Sequence, residues 1–181
     1  MTAAGLLLAA GAGTRMGQPK ALVELDGEAL VVRGVRLLRA AGLDPVVVVL
    51  GAAADLVRPL VAEASVVVAD DWAAGQGASL RAGLSALDAD GVVITLVDEP
   101  YLSPAAVERV VGAGDVAQAV YDGRPGHPVY LHRRVWADVA AAAVGDEGAR
   151  AWMRAHPERV VLVPCDGLGR GDDVDTTADL A

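Results

Sequence analysis

Short runs of β-branched and aliphatic residues alternate along the chain with longer stretches whose apolar positions recur at helical spacing. The runs at residues 5–9, 46–50, 65–68, 92–97, 117–121, 128–131 and 159–163 predict strands. Most are continuously apolar rather than alternating, the pattern of strands covered on both faces. Between them, residues 28–41 repeat apolar side chains every 3.6 positions and end at Gly42, a favoured residue just past a helix. Residues 52–62 carry a second helical pattern with Pro59 inside it, so a kink or break is expected there. Further helices are predicted over 79–87, 104–111, 134–144 and 147–155. Ser103-Pro104 opens the second of these as cap and first-turn proline.

Strand alternating with helix over the whole length implies an α/β fold: three layers, α/β/α, around a mostly parallel Rossmann-like sheet. The 181 residues are the length of one domain, spanning 1–181, and no repeat, linker or low-complexity tract divides them. Ligands of such sheets sit at the carboxyl ends of the strands, near the point where strand order reverses. The loops at residues 10–20, 69–79 and 98–100 therefore become the candidate site.

Composition narrows the chemistry. A formal net charge of −9 disfavours nucleic acid and anionic membrane surfaces as partners. No apolar stretch reaches the 18 or so residues of a membrane span, and the apolar start lacks a basic flank and breaks at Gly11, so a cytoplasmic protein is expected. The lone cysteine, Cys165, has no cysteine or histidine partner at metal spacing. Of the 15 cationic side chains fourteen are arginine; the only lysine is Lys20.

That lysine ends a glycine-rich loop directly after the first strand: Gly11-Ala12-Gly13-Thr14-Arg15-Met16-Gly17-Gln18-Pro19-Lys20. Glycines let backbone N–H groups wrap anionic oxygens, and Arg15 and Lys20 add two cations. Lysine is a compact point charge and arginine a broad planar fork, so a single lysine in an arginine-rich chain marks a place where the fork does not serve. The loop reads as a phosphate site. It is not a P-loop, because Ala21 follows Lys20. Nor is it a full dinucleotide fingerprint, because the second strand ends in Gly51-Ala52 instead of an acid for a ribose hydroxyl. Asp98-Glu99-Pro100 ends the fourth strand and points a carboxylate into the same crevice; Asp172-Asp173-Val174-Asp175 supplies a second acidic cluster. A Mg²⁺ carrying a nucleoside triphosphate takes only one or two protein carboxylates, so Asp98 with Asp175 would suffice.

The stretch Leu8-Ala9-Ala10-Gly11-Ala12-Gly13-Thr14-Arg15-Met16-Gly17-Gln18-Pro19-Lys20 resembles the signature L-A-x-G-x-[ST]-x-R-M-G-x-x-K of the MobA-like nucleotidyltransferases, with Gly13 one step before Thr14 in place of the usual serine spacing. The Leu-Ala-Ala-Gly version is similar to the branch acting as molybdenum cofactor cytidylyltransferase. The resemblance continues through Asp98 in D-E-P, through Trp72-Ala73-Ala74-Gly75-Gln76-Gly77-Ala78-Ser79-Leu80 and through Gly126-His127-Pro128-Val129. It extends to Gly145-Asp146-Glu147-Gly148-Ala149-Arg150 and to the ending Asp173-Val174-Asp175-Thr176. It implies a sheet of the nucleotide-diphospho-sugar transferase type. It also implies nucleotide contacts from Ala10, Gly11, Ala12, Gly13, Thr14, Lys20, Gly75, Gly77 and Ser79. Catalysis would fall to Arg15, Lys20 and Asp98, and Mg²⁺ to Asp98 and Asp175. A phosphorylated pterin acceptor would be held by Arg124, His127, Asp146 and Arg150, with a molybdoenzyme or its chaperone as delivery partner.

The expected reaction is attack of an acceptor phosphate on the α-phosphorus of a nucleoside triphosphate, with pyrophosphate leaving. The acceptor's second pKa is near 6, so it is a dianion at neutral pH and needs no general base. CTP is the implied donor and GTP the alternative. An NAD(P)H-dependent oxidoreductase built on the same loop is the runner-up class, and a non-catalytic nucleotide-binding partner the third.

Overall fold

A computed structural model describes residues 2–180. The chain opens with β1 (Ala3–Ala9), then a small hairpin of β2 (Glu24–Leu25) and β3 (Glu28–Ala29), then α1 (Leu30–Ala40). β4 (Val46–Leu50), α2 (Ala54–Val57), β5 (Ser65–Val68), α3 (Gln76–Ser85), β6 (Gly91–Leu96) and α4 (Pro104–Val110) follow. The last part is β7 (Val116–Tyr121), β8 (Arg124–His132), α5 (Trp136–Ala142), α6 (Arg150–Ala155) and β9 (Val160–Pro164).

Among the described residues seven strands form one sheet in the order β5-β4-β1-β6-β8-β7-β9. All its pairings are parallel except those of β8, which runs antiparallel to β6 and β7. The predicted α/β architecture with a mostly parallel sheet is therefore present. The chain steps outward from β1 to β4 and β5, then returns to place β6 on the other side of β1. The crevice beyond the carboxyl ends of β1 and β6 is thus the switch point where ligands of such sheets bind.

Successive residues of the central strands serve opposite layers. Leu7, Val48, Leu50 and Val93 pack with Leu30, Val35 and Leu38 of α1 and Val107 and Val110 of α4. Leu6, Leu8, Val47, Val49, Val92 and Ile94 pack with Leu80 and Leu84 of α3, Val139 of α5 and Trp152 of α6. Each such fully buried aliphatic side chain contributes roughly 1.5–3 kcal/mol. This double coverage explains why the strand runs show no polar alternation.

Several boundaries differ from the expected ones for identifiable reasons. Residues 28–29 join the β2–β3 hairpin instead of the helix, because Asp26 and Gly27 both adopt positive φ and close a two-residue turn. Asp122-Gly123 does the same between β7 and β8 (φ 49° and 76°), and a two-residue turn permits only an antiparallel return. The helix expected over 52–62 stops at Val57, and a 3-10 turn over Arg58–Val61 carries Pro59 near its start. Ser103 caps α4 as predicted, its hydroxyl accepting from the Ala106 amide at 3.2 Å.

Gly77, one of the expected nucleotide contacts, packs against a neighbouring helix. It is buried in α3 with its Cα facing the end of α5, where a Cβ would lie 2.6 Å from the Ala143 carbonyl oxygen. Alanine improves helix propensity by up to about 1 kcal/mol, yet backbone cannot retreat as a side-chain tip can. Gly77→Ala is expected to destabilise the protein by roughly 1–3 kcal/mol, read from the urea midpoint. An unchanged or raised midpoint would show that α3 and α5 separate freely.

Candidate functional site

The loop after β1 is shaped by its own backbone. Gly13 has φ 61°, and a Cβ there would fall 2.0 Å from the Gln18 carbonyl, so only glycine closes this loop. The Met16 amide donates back to the Gly13 carbonyl at 2.9 Å within a 3-10 turn over Thr14–Met16. Pro19 then starts a second 3-10 turn over Lys20–Leu22, whose Ala21 is buried and anchors the segment. Lys20 is thus carried at a fixed point on the rim of a cleft of about 490 Å³. Ala10, Gly11, Gly13, Thr14, Arg15 and Lys20 of this loop line it, together with Trp72, Gly75, Gln76, Ser79, Asp98 and Asp146. Of the predicted nucleotide contacts, Ala12 and Gly77 are outside this lining.

The ammonium of Lys20 is the centre of the charge arrangement. Its Nζ donates to Asp98 Oδ2 at 2.7 Å and to Asp175 Oδ1 at 2.6 Å. Arg15 Nη1 donates to the other Asp175 oxygen at 2.7 Å. Three distant stretches of chain converge here: the loop after β1, the tip of β6 and the segment near the end. That segment is anchored by buried Val174, whose amide donates to the Asp98 carbonyl at 2.7 Å. Burial works to lower the Lys20 pKa, but the hydrogen bonds that the ammonium donates to Asp175 and Asp98, together with the charges of those carboxylates, outweigh it and the pKa is raised. The Lys20 hydrogen bond holds Asp175 below the usual carboxylate range, with Arg15 assisting.

Among the described residues no group of three or more His, Cys, Asp or Glu side chains gathers to hold a metal. Asp98 and Asp175 nevertheless aim oxygens at one cationic point, which Lys20 fills. Two hard oxygen donors suit Mg²⁺ or a similar ion whose remaining positions go to water and phosphate oxygens.

A second cavity of about 180 Å³ adjoins the cleft, sharing Leu8, Gln76 and Leu96 with it. Leu80, Ile94 and Met153 form apolar walls; Gln118, Arg150, Glu99 and His127 supply polarity. His127 Nδ1 lies 2.9 Å from Glu99 Oε1, both side chains largely buried. The four residues expected on the acceptor side therefore separate. His127 and Arg150 line this cavity, whereas Asp146 lines the cleft beside Gly75. Arg124 faces a third depression with Asp122, Asp166 and Arg170. Sequence reasoning missed Glu99 and Gln118. The signal for Gln118 was a single amide in the otherwise apolar run of β7; Glu99 was overshadowed by Asp98 beside it.

An α/β sheet with its crevice at the carboxyl ends of β1 and β6, rimmed by a glycine loop and paired carboxylates, defines the class. The chain belongs to the family of the MobA-like NTP transferase domain, whose model matches residues 5–161. It is 37% identical to nicotine blue oxidoreductase of Paenarthrobacter nicotinovorans, over 95% of this chain and 91% of that one. It is 36% identical to a molybdenum cofactor guanylyltransferase of Burkholderia vietnamiensis, over 84% of this chain and 82% of the relative. Rv0371c of Mycobacterium tuberculosis H37Rv superposes with a TM-score of 0.83 at 33% identity, covering 99% of this chain and 95% of its own. A manganese complex of Rv0371c aligns at a TM-score of 0.82 and 31% identity, covering 99% and 96% of the two chains. No helix among the described residues is long and apolar enough to cross a membrane.

The two shifted groups set a pH window. A carboxyl whose pKa is depressed by folding stabilises the fold above its ordinary value of 3.8 and ceases to as pH falls through the lower folded value. A lysine whose pKa is raised stabilises below its ordinary 10.5 and ceases to as pH rises through the higher folded value. Between about pH 4 and 10 the Lys20–Asp175 contact is therefore intact. Hydrogen exchange at the Val174 amide should show constant protection across that window and lose it in stronger acid. Asp175→Asn should lower this protection already at neutral pH; full protection in that variant would detach the anchoring from the ion pair.

Proposed function

We propose that this chain is a Mg²⁺-dependent nucleotidyltransferase that moves a nucleoside monophosphate from CTP or GTP to the phosphate of a molybdopterin-type acceptor. The observation that carries this reading is the Lys20 ammonium bridging Asp98 and Asp175 at the mouth of the glycine loop. Family membership and the relatives named as guanylyltransferases support it, and they put GTP level with the CTP implied by the Leu-Ala-Ala-Gly motif. The manganese complex of Rv0371c supports a divalent ion.

In this reading the acceptor phosphate oxygen forms a bond to the α-phosphorus in line as the α–β bridging oxygen leaves with pyrophosphate. A divalent ion, when bound to Asp98 and Asp175, supplies charge neutralisation at the phosphates. The chain itself does three things. Loop amides from Gly11 to Thr14 wrap phosphate oxygens. Lys20, released from its carboxylates, turns to the triphosphate, and Arg15 follows. The cavity beyond Gln76 holds the acceptor ring so that its phosphate faces the cleft. Catalysis is then positioning and charge stabilisation, with no proton to abstract.

A second reading has a specific observation behind it: the relative named nicotine blue oxidoreductase covers 95% of this chain. The discriminating measurement is pyrophosphate release with each of four nucleoside triphosphates, Mg²⁺ and molybdenum cofactor, beside a titration with NADPH. Pyrophosphate release with CTP or GTP is expected; tight NADPH binding with no nucleoside triphosphate binding would overturn the transferase reading. Lys20→Ala should lower turnover by about 10²–10³-fold, the scale for removing one preorganised charge-stabilising donor. Its unfolding midpoint should fall by an amount worth about 1–3 kcal/mol, because Lys20 is only 16% exposed and its removal leaves Asp98 and Asp175 without their shared donor. Wild-type turnover in Lys20→Arg would refute the need for a point charge.

A further inference from the structure

The turn that ends β6 feeds two sites at once. The Glu99 amide donates back to the Leu96 carbonyl at 3.3 Å, and this fold-back sends consecutive carboxylates in different directions. Asp98 goes to Lys20 in the cleft, whereas Glu99 goes beneath β8, where it is 7% exposed. A carboxylate so buried persists only with a partner. Its contacts are His127 Nδ1 at 2.9 Å and a long bond from the Leu96 amide at 3.4 Å. Neither Glu99 nor His127 lines the nucleotide cleft; both line the adjoining cavity.

We propose that Glu99 is a positioning residue for the acceptor, acting through His127, a role that rests on the transferase reading above. Glu99 Oε1 accepts the Nδ1 proton, which fixes the ring plane and the tautomer. In the neutral ring this leaves the Nε2 lone pair as an acceptor for an N–H or O–H on the molecule in the cavity. A second-residue carboxylate of this kind orients an imidazole as it does for ligating histidines in metal sites. Apolar walls from Leu80, Ile94 and Met153 with a hydrogen-bonding floor suit a planar, donor-bearing heterocycle. The cavity's other charges are Arg150, Glu147 and Asp173, so its acidic groups outnumber arginine and a neutral ring enters more readily than an anionic group. The acceptor's phosphate therefore stays toward Lys20.

The test uses the full chain and two probes, 6-hydroxymethylpterin followed by its fluorescence and Mg²⁺ with CTP or GTP followed calorimetrically. Glu99→Leu and His127→Leu should weaken pterin binding about tenfold, the scale of one hydrogen bond to a charged or oriented group, with nucleotide affinity within about twofold of wild type. Glu99→Gln, whose amide oxygen still accepts the Nδ1 proton, should restore most of the affinity. Imidazole nitrogen shifts should place the His127 proton on Nδ1 in wild type and Glu99→Gln, and release it from that tautomer in Glu99→Leu. Unchanged pterin affinity or an unchanged tautomer in Glu99→Leu overturns the inference. So does a wild-type protein that binds nucleotide but no pterin, which leaves the nucleotide half of the functional reading standing. Absence of nucleotide binding overturns that reading itself.

Discussion

The site depends on one ammonium group shared by two carboxylates. Lys20 binds Asp98, 78 residues away, and Asp175, 155 residues away. Without it, the tip of β6 and the segment after Gly171 would present two negative charges to each other with only Arg15 between them and solvent. The pair is partly buried, so the attraction is stronger than at an open surface while the side chains keep enough exposure to exchange partners. That balance leaves the ammonium able to exchange partners, as the transferase reading proposed above requires.

The placement of this ammonium follows from backbone constraints more than from packing. Gly13 permits a loop that turns on itself; Pro19 and buried Ala21 then hold the next turn against the core. On the facing side, the fold-back at residues 96–99 puts Asp98 in the cleft and Glu99 in the adjoining cavity. Two adjacent residues thereby link the cleft and the adjoining cavity, and any shift of this turn would be felt in both.

Much of this could be read from the amino acids, and the exceptions have a common cause. The run 46–50 coincides with β4 because a strand covered on both faces leaves an unbroken apolar run with sharp ends; 65–68 coincides with β5 although that edge strand is only partly covered. The lone lysine and the strand-tip aspartate were visible because each broke a local pattern. The reversals at Asp26-Gly27 and Asp122-Gly123 went unread, though aspartate-glycine is a recognised hairpin signal, and with them the antiparallel course of β8. Whereas Arg124 opens β8 and takes its direction from the Asp122-Gly123 reversal, Asp146 and Gly77 stand on a turn and a helix face whose direction is set by packing between α3 and the α5–α6 connection. No linear motif encodes that direction. Glu99 pairs with a histidine 28 positions away, a contact defined only once β8 lies beside β6.

Charge arithmetic bears on the chemistry that this fold is asked to do, because a shared fold does not by itself choose between transferase and oxidoreductase. Lys20 and Arg15 contribute two positive charges, Asp98 and Asp175 two negative ones, so the cluster is neutral before a ligand arrives. A dinucleotide's diphosphate would have to draw the two cations away and leave the carboxylates bare beside it. A triphosphate that brings a divalent ion would meet no such difficulty, since Asp98 and Asp175 could hold the ion while Lys20 turned to the phosphates. The arrangement therefore favours a ligand that carries its own cation. Its cost to the protein is small, because each charge exchanges one partner for another and none is left buried alone.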